Sequence, residues 1–190
     1  MTPLDAPMRL ETPRLVLREQ LLEDAEETNV YERDPEVVRY QTHHPRTLEE
    51  SRAYIADVLA ESARTPRALF DLAVVHREEG CLIGRCGLRV TDVGQREATL
   101  WYVLDRRRWG QGFTVEAARA LLAFGFDELG LHRVFVDVDP RNLASARVAE
   151  KLGMRREAHF VENALLKGEW TDSVIFGLLD REWRGAQQGG

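Results

Sequence analysis

Short runs of apolar residues, several of them alternating with polar ones, recur along the chain. Alternation is typical of strands, because successive side chains of an extended backbone point to opposite faces. We therefore predict strands over residues 14–18, 69–76, 81–90, 98–104, 132–138, 154–164 and 172–179. These runs predict a sheet of six to seven strands.

Between the strands, apolar residues recur at the spacing of amphipathic helices. An acidic helix is predicted over residues 23–32. A second helix begins at Thr47, which forms a capping box with Glu50. A long helix is predicted over residues 113–129, and Asn142 is a favourable N-cap for another. This order predicts an α/β (α+β) domain with a mixed, mostly antiparallel twisted sheet and helices on both faces.

The length of 190 residues suits one domain, which we assign to residues 9–182, with flexible tails at 1–8 and 185–190. No apolar stretch has the length of a membrane helix and the first residues resemble no secretory signal, which favours a cytoplasmic protein. The net charge of −6 disfavours a nucleic-acid partner and slightly favours a cationic substrate. The histidines are scattered and Cys81 and Cys86 match no zinc spacing, so no metal is expected.

The most informative segment is a glycine-rich turn at the start of the long helix. Gly110 and Gly112 flank Gln111, and the helix follows at once. Unpaired amides and the helix dipole at such a turn favour a phosphate or pyrophosphate. The spacing does not fit the lysine-containing loop of nucleotide hydrolases, and Val115 stands where a dinucleotide-binding motif has its third glycine. A tight turn without a ligand is the alternative.

Residues 102–118 resemble the acyl-CoA motif of the GNAT acetyltransferase superfamily, in particular its ribosomal-protein N-terminal (alanine/serine) acetyltransferase-like branch. Residues 10–18, 142–154 and 167–172 are similar to three further blocks of that branch, in the same order. Thr114 departs from the Gly or Ala that is usual there, although its amide is retained. The resemblance implies an acetyl-CoA-dependent N-acetyltransferase with a V-shaped split between two central strands.

The resemblance also implies which residues contact the coenzyme. The pantetheine arm would pair with the strand ending at Leu104, and the pyrophosphate would meet the backbone of the glycine turn. The implied contacts are Tyr102, Val103, Leu104, Trp109, Gly110, Gln111, Gly112, Phe113, Thr114, Asn142 and Ser145.

Transfer of an acetyl group to an amine needs an oxyanion donor, a proton donor for the thiolate and a base. A backbone amide near Tyr102 or Val103 is the candidate oxyanion donor. Ser145 is the candidate proton donor, or else a hydroxyl that caps its helix. Many relatives have a tyrosine where this chain has Ala149.

Glu97 is the candidate base, acting through water, unless it is merely a solvated carboxylate at a strand end. The alternatives are Asp137, Asp139, His43 and His44, and Glu169 and Trp170 are candidates for lining the acceptor side.

The acceptor is either a protein N-terminus or a small-molecule amine, and the protein is a monomer or a homodimer with no membrane partner. The competing hypothesis is a non-catalytic acyl-CoA-binding or sensor domain, which the absence of a tyrosine at Ala149 keeps open.

Overall fold

The structure is a computed structural model of the chain, and it describes residues 8–188. The eight strands are β1 (Arg9–Glu11), β2 (Leu15–Glu19), β3 (Leu69–His76), β4 (Leu82–Asp92), β5 (Glu97–Leu104), β6 (Arg133–Val138), β7 (Arg155–Leu166) and β8 (Glu169–Leu179). The five α-helices are α1 (Ala25–Glu32), α2 (Leu48–Ser62), α3 (Phe113–Ala123), α4 (Leu143–Lys151) and α5 (Asp180–Gln188).

The strands form one sheet in the order β1-β2-β3-β4-β5-β6-β8-β7, and only β5 and β6 pair in parallel. The mixed, mostly antiparallel α/β architecture is thus confirmed. The sheet has eight strands, whereas six to seven were predicted. The strand that was missed is β1, which has only three residues and is therefore too short to show an alternating pattern. Helices cover both faces, with Tyr31 of α1 against Val103 on one face and Phe113 of α3 in the larger core on the other.

Local sequence signals account for where the helices begin and end. The Thr47 hydroxyl accepts a bond from the Glu50 amide at 3.2 Å, while the Glu50 carboxylate accepts one from the Thr47 amide at 2.7 Å, which confirms the capping box. The Asn142 side chain accepts a bond from the Ser145 amide at 3.1 Å, which confirms the N-cap of α4. The long helix continues from α3 through a π-helical turn, Phe124–Glu128, to Gly130 in the left-handed region.

The described residues include part of each predicted tail. Met8 is buried in the main core. Residues 185–188 belong to α5, because Trp183 stacks on Phe126 with 5.8 Å between the ring centroids and thereby anchors the helix. The rest of the two predicted tails, residues 1–7 and 189–190, lies outside the described residues.

Candidate active site

The two central strands separate after three paired positions. β5 and β6 pair at Glu97, Ala98 and Thr99 of β5, whereas residues 100–104 pair only with β4. β6 meanwhile stays paired with β8 as far as Val138. The divergence opens a V-shaped split, as predicted, and it leaves one edge of β5 with unpaired backbone groups. A cavity of about 300 Å³, called here the central cavity, occupies this split.

The glycine turn lies beyond the wide end of the split, between β5 and α3. Gly110 and Gly112 both have positive φ, 75° and 82°, and Gly112 is the N-cap of α3. Within residues 8–188, the amides of residues 110–114 donate to no backbone or side-chain acceptor. The Trp109 indole donates to the Leu104 carbonyl at 2.9 Å and so fixes the turn to the end of β5. Five unused amides at a helix N-terminus form an anion site.

Arg14 lies beside this anion site, where Glu116 balances its charge, and sequence reasoning missed it. Its guanidinium donates to the Gln111 carbonyl at 2.9 Å and lies 4.3 Å from the centroid of the Phe113 ring. It also pairs with Glu116 in the first turn of α3 at 2.7 Å. Arg14 lies in one of the blocks that carry the family resemblance, which was the available signal for its role.

Two hydroxyl groups meet across the split on the face covered by α3 and α4. The Tyr102 Oη atom lies 2.9 Å from Ser145 Oγ and donates to the Ser145 carbonyl at 3.1 Å. Burial raises the pKa of Tyr102 to about 12, so the phenol is neutral at physiological pH. The Ser145 hydroxyl therefore faces Tyr102, whereas its amide is the group that takes part in the cap with Asn142. Sequence reasoning considered Tyr102 for its backbone and missed its side chain.

The opposite face of the split carries Trp101 and Asp137. Val136 and Val138 pack in the main core, so the intervening Asp137 points to the α1 and α2 side. The cavity walls desolvate the Asp137 carboxyl and raise its pKa, which a hydrogen bond from Ser173 opposes. Because Asp137, Trp101, Tyr102 and Ser145 all line it, the central cavity runs through the sheet from one face to the other.

The Trp101 indole packs against β4 at Gly87. A Cβ atom built at Gly87 would lie 2.1 Å from the Trp101 ring, so only glycine leaves room for the ring in this position. Gly87 and Trp101 are register partners in the antiparallel pair of β4 and β5. The absence of a side chain at Gly87 thus determines where Trp101, one wall of the central cavity, can lie.

Other predicted residues lie outside this group. Glu97 is at the narrow end of the split, where it pairs with Arg133, and five residues of strand, roughly 16 Å, separate it from Tyr102. Glu97 is not among the residues that line the central cavity, so the structure does not bring it to Tyr102 or Ser145. Asp139 does line the cavity but pairs with Arg141 at 2.7 Å.

The residues predicted for the acceptor side lie around the mouth of the cavity. Trp170, at the tip of the β7–β8 hairpin, is 60% exposed, and Glu169 pairs with Arg141 at 3.1 Å. His43 follows the cavity-lining segment 40–42 and approaches Glu32 with its Nε2 atom at 3.2 Å. Burial lowers the pKa of His43, and its Nδ1 atom is 2.9 Å from the His44 carbonyl.

A buried ion network supports the segment that leads to the cavity mouth. Arg85 pairs with Glu32 at 3.0 Å and with Asp71 at 3.3 Å, and all three are almost fully buried. Arg46 also reaches Glu32, at 2.8 Å, so the loop before α2 is tied to the sheet. No sequence pattern indicated this network, because its members come from four separate elements or loops.

Metal-binding clusters and membrane-spanning helices are both absent from residues 8–188. No group of three or more His, Cys, Asp or Glu side chains in this range is arranged to hold a metal ion. None of its helices combines the length and the apolar character that a membrane span requires.

Comparisons with known proteins agree with this geometry. The profile of the family described as "Acetyltransferase (GNAT) domain" matches residues 14–155. The "Uncharacterized N-acetyltransferase p20" of Bacillus licheniformis is 34% identical over 177 residues, which cover 93% of this chain and 98% of that protein. The crystal structure of a GNAT-family acetyltransferase from Bacillus anthracis aligns with a TM-score of 0.82 and 28% identity, over 92% of this chain and 99% of that one. The ribosomal protein uS5-alanine N-acetyltransferase of Escherichia coli (strain K12) is 26% identical over 84 residues, which cover 44% of this chain and 43% of that protein.

Proposed function

Because this chain belongs to the GNAT acetyltransferase family, we propose that it transfers the acetyl group of acetyl-CoA to a primary amine in the central cavity. The observation that carries the proposal is the set of five unused amides at residues 110–114, next to a split in the sheet. These amides belong to the exposed turn and the first residues of α3, where no acceptor of the described chain competes with an anionic ligand for them.

The residues of the split fit the coenzyme. The amides of residues 110–114, with Arg14 beside them, would hold the pyrophosphate. The open edge of β5 at Tyr102 would pair with the amide groups of the pantetheine arm. Alternate residues of an antiparallel pair face opposite edges, and the bond from the Asp105 amide to the Ile83 carbonyl puts Val103 on the β4 side. The Leu104 carbonyl, on the open edge, already accepts the bond from Trp109, so the pairing rests mainly on Tyr102. When bound, acetyl-CoA supplies the acetyl group as a thioester.

Tyr102 and Ser145 form the proposed proton donor. A neutral phenol next to a hydroxyl can donate a hydrogen bond or a proton to a thiolate as it leaves. The pair supplies a hydroxyl group to the split although Ala149 takes the place of the tyrosine expected later on α4. This observation favours catalysis over the sensor hypothesis. Of the two candidate oxyanion donors, the amide of Tyr102 is the one we propose, because the amide of Val103 faces β4.

Asp137 replaces Glu97 as the proposed base. It lines the central cavity on the side that faces α1 and α2, and it forms no ion pair with any described residue. Its raised pKa makes it a stronger base than an ordinary aspartate. An ammonium group that enters from the α1 and α2 side would meet the Asp137 carboxylate before it reaches the Tyr102–Ser145 pair.

The acceptor is proposed only as a primary amine, either a protein N-terminus or a small molecule. The similarity to the uS5-alanine N-acetyltransferase supports the protein N-terminus, whereas the central cavity, at about 300 Å³, is large enough for a small amine. Cytoplasmic location and the choice between monomer and homodimer stay predictions.

Thermal melting with acetyl-CoA tests the coenzyme site. At a hundredfold excess over Kd, binding stabilises the folded state by about 2.7 kcal/mol, which for a chain of this length raises Tm by roughly 5–10 °C. Release of free thiol with a panel of amines and of peptides with free N-termini then tests the transfer. Stabilisation by ATP or NAD instead of acetyl-CoA would refute the coenzyme assignment, and binding without turnover of any amine would favour the sensor.

A further inference from the structure

A second, smaller cavity adjoins the central cavity at its outer end. It has a volume of about 190 Å³ and shares Tyr40 and Leu166 with the central cavity. We call it the entrance cavity, and it is lined by Arg39, Tyr40, Arg141, Leu166, Lys167 and Glu169. An acceptor that reaches Asp137 from this side either passes through the entrance cavity completely or keeps one end bound in it.

The entrance cavity carries positive charge on a protein whose net charge is −6. Three of its six lining residues are cations and only Glu169 is an anion. Glu169 is already paired with Arg141, which also pairs with Asp139. Arg141, Glu169 and Asp139 together sum to one negative charge, so the positive charge open to a ligand is that of Arg39 and Lys167.

Neither Arg39 nor Lys167 is neutralised by a close carboxylate. Lys167 Nζ donates to the carbonyls of Val38 at 2.6 Å and Arg39 at 3.2 Å, and it forms no ion pair within the described part of the chain. The nearest carboxylate to Arg39 is that of Glu36 at 3.9 Å, and both side chains are more than half exposed. Such a distant, exposed pair contributes little. Two cations are thus available to an anionic ligand.

The charges of the two cavities have opposite signs along one path. Asp137, which has no cationic partner among the described residues, is in the central cavity, and Arg39 and Lys167 are in the entrance cavity. We propose that the acceptor is a primary amine whose own molecule carries a carboxylate, with the amine at Asp137 and the carboxylate at Arg39 and Lys167. This inference rests on the proposed function and narrows its substrate class.

The same charges discriminate against a purely cationic acceptor. A diamine with its first ammonium at Asp137 would place its second near Lys167, where like charges repel. A neutral alkylamine would avoid the repulsion but gain nothing from the two cations. The expected order of kcat/KM is therefore amino acid, then alkylamine, then diamine.

The test compares unbranched ω-amino acids, from glycine to aminohexanoate, with alkylamines and diamines of matched length in the thiol-release assay. Peptides with a free N-terminus followed by glutamate or by lysine form a second arm, which shows whether the carboxylate belongs to a free amino acid or to a peptide. We expect the best carboxylate-bearing acceptor to exceed its matched diamine at least about tenfold in kcat/KM, a ratio that shrinks as salt rises.

Arg39→Met and Lys167→Met test the two cations separately. Each is expected to lower kcat/KM for the carboxylate-bearing acceptor about five- to tenfold while the alkylamine changes less than about twofold. The Arg39 variant is an independent test, because Lys167 also donates a hydrogen bond to the Val38 carbonyl, and the Lys167 variant could displace the loop that carries Val38. Arg52→Met replaces an exposed arginine of α2 that lines neither cavity; it is the matched control and should change kcat/KM for neither acceptor.

Calorimetric binding of the amino acid and of the diamine to the CoA-bound protein separates this inference from the proposed function. Tighter binding of the amino acid, lost in the two methionine variants, supports the inference even if no thiol is released, and absence of thiol release then refutes the transfer alone. Equal or tighter binding of the diamine, or equal losses for both acceptors in the variants, overturns the inference while leaving amine acetylation in place.

Discussion

Replacement of Gly112 by aspartate tests the electrostatics of the glycine turn. The new carboxylate would project from the N-cap of α3 toward the position proposed for the pyrophosphate. At a separation of ~5 Å, each phosphate charge opposes the carboxylate by about 1 kcal/mol in water and about 3 kcal/mol at the effective dielectric of a protein surface. Two phosphate charges therefore cost about 2–6 kcal/mol, which raises the Kd for acetyl-CoA at least about thirtyfold.

The cost of Gly112→Asp to the fold itself is expected to be small. Gly112 has φ of 82°, where a residue with a Cβ atom loses about 1–2 kcal/mol. Aspartate tolerates this region better than most residues and is a favoured N-cap, which offsets part of that loss. The added Cβ would lie 3.5 Å from Arg14 Nη2, its closest non-neighbour atom. We expect Tm without ligand to fall by only about 2–4 °C.

Gly130→Asp is the matched control for this experiment. Gly130 follows the same helical segment at its other end and has φ of 63°, and a Cβ atom added there would have no neighbour within 4 Å. The control repeats the backbone strain without a carboxylate at the turn, so its Kd should equal that of the unchanged protein. Calorimetry with acetyl-CoA measures the Kd of both variants. If Gly112→Asp binds acetyl-CoA within about threefold of the unchanged protein, the pyrophosphate does not lie at residues 110–114.

Three further substitutions follow from the site and its supporting network. Tyr102→Phe should lower kcat by about 10²-fold with the Kd for acetyl-CoA nearly unchanged, because a general acid typically contributes that much. Ser145→Ala should lower kcat by a smaller factor. An unchanged kcat in both variants would remove this pair from the mechanism. Asp137→Asn should abolish the acid limb of the profile of kcat/KM against pH. In the unchanged protein, activity should rise as the Asp137 carboxyl loses its proton, at a pH above the usual range because partial desolvation by the cavity walls raises its pKa. An acid limb that persists in the variant would assign the base elsewhere. Arg85→Leu should destabilise the fold by about 3–5 kcal/mol, since it leaves two buried carboxylates without this cation, and a fall in Tm of less than about 3 °C would contradict the buried network.

The fold was largely predictable from sequence because its signals are local. The capping box at Thr47, the N-cap at Asn142 and the turn at Gly130 each depend on a few neighbouring residues, and all three are present in the structure. The two ends of the described chain depend on contacts of a different kind. Met8 is held by the core and α5 by the contact of Trp183 with Phe126, and such long-range packing leaves no periodic pattern near the residue concerned.

The backbone part of the candidate site was more predictable than its side-chain contacts. Amides of the glycine turn depend on chain conformation, which glycine spacing indicates, whereas the meeting of Tyr102 with Ser145 joins residues 43 positions apart. Glu97 was predicted as the base from its place on the right strand, but register puts it at the closed end of the split, beside Arg133. Asp137 was only one of several alternatives, because its lack of a cationic partner among the described residues is a property of the assembled sheet.

The contact between Trp101 and Gly87 makes the range of acceptors adjustable by a residue that no acceptor touches. Any side chain at position 87 would displace the indole from β4 into the central cavity. This would narrow the space proposed for the amine without altering the proposed acid or base. Relatives that share the same chemistry can therefore diverge in substrate size through a single small-residue position on a neighbouring strand, and the reverse change from a larger residue to glycine would widen the cavity of such a relative.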